Sequence, residues 1–120
     1  MQTNYRHRDV LFSVQDDCLV RTVISGPGDG RTYTHRCPRE TFEAVAWAIE
    51  DISREGEGTT MILLTRQLKM AYTQVTVALE YLKERGIVDV YRRRSYPGTK
   101  SVHLDAMVEF HALAEEPKSA

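Results

Sequence analysis

Apolar positions along this chain change period near residue 38, from the short runs of strands to the three-and-four spacing of helices. Before it, Val10 to Val14, Leu19 to Ile24 and Arg31 to Cys37 are rich in Val, Ile, Thr, Tyr and Phe, residues that suit a pleated, half-buried surface. Gln15-Asp16-Asp17 and Gly26-Pro27-Gly28-Asp29-Gly30 interrupt these runs, which predicts three antiparallel strands in a meander. The glycines of the second interruption supply unusual φ angles, and its proline stops a strand. Alternation within the runs is imperfect, so the pattern leaves the buried face open.

After it, Phe42, Val45, Ala46, Ile49 and Ile52 recur at helical spacing. They predict an amphipathic helix with Pro38 in its first turn, Glu40 and Glu43 near the positive end of its dipole, and an end at about Arg54 before Gly56 and Gly58. Trp47 lies off the centre of that stripe, at the edge of the core or in a subunit contact, and the core edge is favoured. Thr59 or Thr60 can cap a short helix carrying Leu64 and Leu68. Only Lys69-Met70-Ala71 separates it from a third helix, in which Val75, Leu79 and Leu82 stand at i, i+4 and i+7 and which Gly86 ends. Ile87-Val88 then opens an extended stretch. Val88 to Arg92 and Ser101 to Leu104 are expected as paired strands, with Pro97-Gly98 at the tip of the hairpin between them. Asp105 is expected to cap a last helix running to about Glu115, with Met107, Val108, His111 and Ala114 on one side, ahead of a frayed tail.

The order from Pro38 to Leu104 resembles the winged helix-turn-helix family. Leu64 and Leu68 match the buried face of the motif's first helix, Met70 the apolar plug of its turn, and Val75, Leu79 and Leu82 the buried face of its recognition helix. Gly86-Ile87-Val88 matches the glycine-apolar-apolar lead into the wing. The family usually has a small polar cap before the recognition helix and often a glycine in the turn; here Ala71 and Lys69 hold those positions, and Thr73 is the alternative cap. The resemblance implies an α+β fold, with a β-meander over residues 1–37, the winged helix-turn-helix over 38–104, and a C-terminal helix and tail over 105–120. It also implies double-stranded DNA as partner and a homodimer on near-palindromic sites. The same fold serves elsewhere as a protein-docking module without DNA binding, which is the rival expectation.

Charge favours the first. The chain carries a formal net charge of -1, but residues 58–104 hold eight Lys and Arg against three acids, and the acids concentrate in residues 41–57 and 105–120. Positive charge therefore accumulates in the segment assigned to nucleic acid. On the third helix, 100° steps from Val75 point Thr73, Val77 and Glu80 away from the buried stripe, with Gln74 and Thr76 on its flanks and Tyr72 at the entry. Thr73, Gln74 and Thr76 can hydrogen-bond base edges or phosphates, Val77 can meet a thymine methyl, and Tyr72 can reach a phosphate. Glu80 opposes deep insertion unless it accepts from a cytosine. In the expected wing, Arg92 and Arg94 share one face, Arg93 takes the other, and Arg92, Arg94 and Lys100 clamp phosphates or enter the minor groove; alternatively the arginines pair with acids of residues 41–57.

Other chemistry is sparse. Pairing of Ser25 with Gly30 would bring Cys18 opposite Cys37, near His35 and His7, so a disulfide or a zinc set is conceivable. Without CxxC spacing, and with a cytoplasmic setting expected from the polar Met1 to Arg8 segment, two reduced thiols and no metal or other cofactor are expected. No phosphate-cradling loop, nucleophile elbow or paired acid–base constellation is present in the sequence, so no enzyme is expected. No apolar run reaches the ~18 residues of a membrane span.

Overall fold

A computed structural model describes residues 9–24, 31–53 and 55–116. Strands β1 (Asp9–Gln15), β2 (Cys18–Ile24) and β3 (Thr32–Pro38) form an antiparallel sheet in the order β1-β2-β3. Asp16 and Asp17, at φ 53° and 61°, make the two-residue turn from β1 to β2, a primed turn whose positive φ values Asp tolerates well. The Asp17 carboxylate then accepts from Arg39 Nε at 3.1 and 3.0 Å, and its carbonyl accepts from the Arg39 N–H at 3.0 Å. This turn thereby ties the sheet to the helix that follows β3. The expected turn at residues 26–30 lies outside the described residues.

Register corrects the cysteine geometry. Cys18 pairs with Pro38 and Leu19 with Cys37, one residue away from the pairing that would face the two thiols. A one-residue slip sends side chains to opposite faces of a sheet, so Cys37 joins the core while Cys18 takes the other side, and both are free thiols.

Helix α1 (Arg39–Glu50) starts directly after Pro38, which is its N-cap and closes β3, and it ends four residues short of Arg54. Thr60 caps α2 (Met61–Leu68) by accepting from the Leu63 N–H at 3.2 Å. Lys69 takes the left-handed conformation, φ 56° and ψ 44°, at the C-cap of α2, a backbone role that glycine fills without the energetic cost. Helix α3 (Tyr72–Glu84) begins at once with Ala71 as N-cap and no side-chain cap; Thr73 does not cap it. Its C-terminus is closed by Gly86, φ 76°, with the Ile87 N–H donating to the Leu82 carbonyl at 2.9 Å and the Gly86 N–H to Lys83 at 3.1 Å. This is the six-to-one and five-to-two pattern of a Schellman motif.

The hairpin is shorter than expected, and its turn lies elsewhere. Strands β4 (Val88–Tyr91) and β5 (Arg94–Pro97) pair Val88 with Pro97 and Tyr91 with Arg94, so Arg92-Arg93 form the tip. Pro97-Gly98 sits instead at the base, where a Cβ on Gly98 would come within 2.8 Å of the Gly86 carbonyl and 2.9 Å of that of Ile87. Close backbone approach, not a turn, requires that glycine. Thr59 adds a single rung along the other edge of β5, its N–H donating to the Ser95 carbonyl at 3.0 Å and its carbonyl accepting from the Ser95 N–H at 2.8 Å.

Residues 102–104 are helical rather than extended. Helix α4 (Val102–Ala114) has Ser101, not Asp105, at its N-cap, and Glu50 of α1 accepts from the His103 N–H at 3.0 Å, satisfying one of the free donors of the first turn. Val102, Ala106 and Phe110 are its buried residues, whereas Val108 is 58% exposed, so the expected apolar side is replaced by one displaced around the helix. Trp47 is 49% exposed and stacks on His103 with ring centroids 3.9 Å apart, outside the core proper.

The sheet and the helices share one core. Leu19 and Cys37 join Phe42, Ile49, Leu64, Val75, Leu79, Leu82 and Phe110, with Phe12 and Val14 packed against them. Tyr81 lies 5.0 Å from Phe12 and 6.1 Å from Phe42 between ring centroids, and such tilted pairs add ~0.5–1.5 kcal/mol each beyond area burial. Burial pushes the Cys37 thiol up to about 12, and burial together with the Glu109 carboxylate pushes the Tyr81 hydroxyl up to about 12. Both groups are neutral when protonated, and their unfolded values are ~8.5 and ~10. Their contribution to stability is therefore complete below pH ~8.5 and is lost as pH rises toward 12. The urea midpoint is expected to fall between pH 8 and pH 11, and at pH 8 the native protein should expose Cys18 but not Cys37 to a thiol reagent. Rapid labelling of both cysteines in the folded state would contradict this packing. Among the described residues, no helix is long and apolar enough to cross a membrane.

Candidate nucleic-acid interface

The third helix exposes less than its own periodicity implies. α3 packs along β2 and β3, and Val77, expected to face outward, is 0% exposed. Tyr81, one turn further on the same side, touches Phe12 of β1, so the sheet covers a flank that the two-helix motif alone would leave open. Glu80 is engaged as well, in an ion pair with Arg21 of β2, and Arg21 also lies 3.2 Å from His35 Nδ1. The carboxylate that opposed groove insertion is thus partly neutralised by the protein itself.

Of the remaining helix residues proposed from sequence, Tyr72 is 55% exposed and Thr73 is exposed. Gln74 is half-buried and accepts from the Thr41 hydroxyl at 3.4 Å. The Thr76 hydroxyl donates to the Tyr72 carbonyl at 2.9 Å, leaving only its lone pairs and methyl for an outside partner. Lys83, seven residues after Thr76 and exposed, extends the same outward stripe and was not singled out from sequence, because it lies outside the N-terminal turns that usually read bases. What remains is a narrow stripe of Tyr72, Thr73, Thr76 and Lys83.

The hairpin tip is more open. Arg92 and Arg93 have φ 51° and 67°, as a primed two-residue turn requires at both central positions. Asn-Gly is the usual occupant, and a left-handed non-glycine residue costs roughly 1–2 kcal/mol. Strain of this kind, held at an exposed tip by side chains that make no core contact, points to a use for the arginines themselves. Arg92 and Arg93 are exposed and Arg94 half-buried, and among the described residues none of the three is paired with a carboxylate. The Arg92 guanidinium lies 5.3 Å from the centroid of the Tyr91 ring, a cation–π contact that leaves its charge available. The expected alternation of Arg92 and Arg94 on one strand face is corrected, since the strand ends at Tyr91. Lys100 follows β5 in the loop at the hairpin base and does not join the arginines at the tip.

Two of the acids expected as alternative partners are occupied elsewhere. Glu43 accepts from Arg39 and lies 3.0 Å from His103 Nε2, while Glu50 caps α4. The hairpin tip presents guanidinium groups that make no ion pair with a carboxylate among the described residues, with Glu57 lining the same cleft as Arg92 and Arg94, and the α3 stripe presents hydroxyls and one ammonium. No protein-family model, curated protein or solved structure matches this chain. Among the described residues, no group of three His, Cys, Asp or Glu can hold a metal ion, and His7 lies outside them.

Proposed function

We propose that residues 39–97 are a winged helix-turn-helix and that the chain binds double-stranded DNA without catalysis, as a small cytoplasmic transcriptional regulator acting as a homodimer. The order α1, the Thr59 rung, α2, α3 and the β4–β5 hairpin supports the fold reading. The observation that carries the function is the strained Arg92-Arg93 turn, which together with Arg94 makes no ion pair with a carboxylate among the described residues. In this reading the wing supplies most of the affinity through phosphates, and Tyr72, Thr73 and Thr76 supply a limited choice of sequence. The exposed Leu104 and Val108 of α4 offer an apolar surface to a second copy.

A protein-docking role is the second reading, and the burial of Val77 with the Glu80–Arg21 pair favours it by narrowing the helix face. Fluorescence anisotropy with a labelled mixed-sequence duplex at 50 and 200 mM salt separates the two. DNA binding predicts a saturable rise that weakens steeply with salt, by a log–log slope of about 0.9 per phosphate neutralised. An unchanged signal at both salt concentrations would reject DNA binding and leave docking. Selection from a random duplex pool should yield a short, weakly constrained and two-fold symmetric consensus, with Thr73→Ala relaxing it further.

A further inference from the structure

The pairing of Asp89 with Tyr96 and of Tyr91 with Arg94 places these four side chains on one face of the hairpin. Val88, Ser95 and Pro97, on the other face, are buried. Two aromatic rings and a guanidinium therefore stand on the outside of a small sheet, Tyr91 with 60% of its surface exposed. Tyr91 and Tyr96 are diagonal neighbours across the strands, a relation that separates residues by ~7–8 Å. Two clefts, of about 340 and 410 Å³, both have these tyrosines in their walls. Gly56 and Pro97 help to line the first, and Glu57, Arg92 and Arg94 the second.

Tyr96 is held in place from behind. Gly58 has φ 73°, and a Cβ there would lie 2.7 Å from the Tyr96 ring carbon Cζ, so the ring rests directly on bare backbone. A ring fixed in this way loses little freedom when a ligand stacks on it.

We infer that this outer face of the wing is a stacking platform for an unpaired base of a single DNA strand, with Tyr91 as its main contact. The inference rests on the reading that the wing meets nucleic acid, and it adds a second form of nucleic acid that the wing's outer face can hold. A base inside a duplex has both faces covered by its neighbours, whereas an unpaired base offers a free π-face to an exposed aromatic ring. Cations and acid are arranged to suit a nucleotide. Arg92, already over the Tyr91 ring, and Arg94 are placed for the flanking phosphates, while the Glu57 carboxylate in the same cleft can accept from an exocyclic amino group and disfavours phosphate. An apolar peptide would use the rings but leave both guanidinium groups without a partner.

The test is anisotropy at 100 mM salt with a labelled mixed-sequence 15-nucleotide single strand and with the duplex of the same sequence, for wild type, Tyr91→Ala and Tyr91→Phe. Because Tyr91 is exposed, circular dichroism should show both variants folded. Tyr91→Ala is expected to weaken single-strand binding about tenfold, Tyr91→Phe to stay within about twofold of wild type, and duplex binding to change little in either. Single-strand affinity unaltered by Tyr91→Ala, with duplex binding intact, overturns the platform alone. Equal losses on both nucleic acids also overturn it, since the contact would then be general. Absence of binding to either form removes the platform together with the proposed function.

Discussion

Exchange of Arg92-Arg93 for Asn-Gly is expected to make the protein more stable and, at the same time, a weaker ligand for duplex DNA. Both central residues of the tip have positive φ, and Asn-Gly is the pair that adopts such a turn most readily. Relief of left-handed strain at two arginines is worth about 1–2 kcal/mol in total after allowing for the extra flexibility of an unfolded glycine, readable as a higher urea midpoint. The same exchange removes two exposed cations that the proposed DNA binding sets against phosphates. At ~1.5 kcal/mol for each charged hydrogen bond lost, affinity for duplex should drop about a hundredfold. The slope of log affinity against log salt should become shallower by about two. Opposite signs in the two measurements are the signature sought: a turn chosen for stability would lose on both counts. If the Asn-Gly variant binds as wild type does, with the same salt slope, the wing has no part in DNA binding.

The second large effect concerns the helix and not the wing. Val77→Asp is expected to destabilise the protein by ~4 kcal/mol or more, because a carboxylate would replace a side chain that is 0% exposed beside the Tyr81–Phe12 contact. Lost apolar burial contributes ~2 kcal/mol, and desolvation of an unpaired carboxyl contributes at least as much again. A domain of this size has a total stability of about 5–15 kcal/mol, so the variant should lie close to unfolding at 37 °C. Val77→Ala should cost about 2 kcal/mol, while Thr73→Asp, one turn earlier on the open stripe, should stay within ~0.5 kcal/mol of wild type. Urea unfolding followed by far-ultraviolet circular dichroism measures all three. A Val77→Asp protein as stable as the Thr73 variant would mean that the sheet does not seal this side of α3. The wider base-reading face expected from sequence would then be restored.

Val77 also shows where periodicity stops being informative. Steps of 100° along α3 correctly identify Val75, Leu79 and Leu82 as one buried face, because a helix in a two-helix motif must bury the stripe between itself and its neighbour. A helix packed on two sides buries a second stripe, and that stripe depends on which other element reaches it. Here the element is the β-meander, far earlier in the chain, and Arg21 with Glu80, 59 residues apart, joins the two. No local pattern around residue 77 records that encounter.

The hairpin shows a related limit. Pro97-Gly98 carries the composition of a turn, whereas Arg92-Arg93 does not. Local chemistry therefore places the tip five residues too late, and the second strand on residues that begin α4. The tertiary reason is the Thr59–Ser95 rung, which holds β5 in register, together with the Gly86-Ile87 backbone against which Gly98 must fit. With the tip misplaced, Tyr91 and Tyr96 could not be recognised as sharing a face, and the arginines were spread along a strand instead of gathered at its end.

What the amino-acid order decided alone is the set of elements that local physics specifies. Three β-branched runs became three strands, the two apolar stripes around Lys69 became two helices joined by a left-handed residue, and Gly86 closed the second of them, because strand propensity, helical period and the αL preference of glycine act within a few residues. Tertiary structure decided everything that depends on which surfaces meet. It set the one-residue register that separates Cys18 from Cys37, the covering of Val77, the handover of residues 102–104 from strand to helix, and the position of the hairpin's turn. Each of these is a choice between locally similar options, and burial against a distant part of the chain supplied the energy difference that selected one.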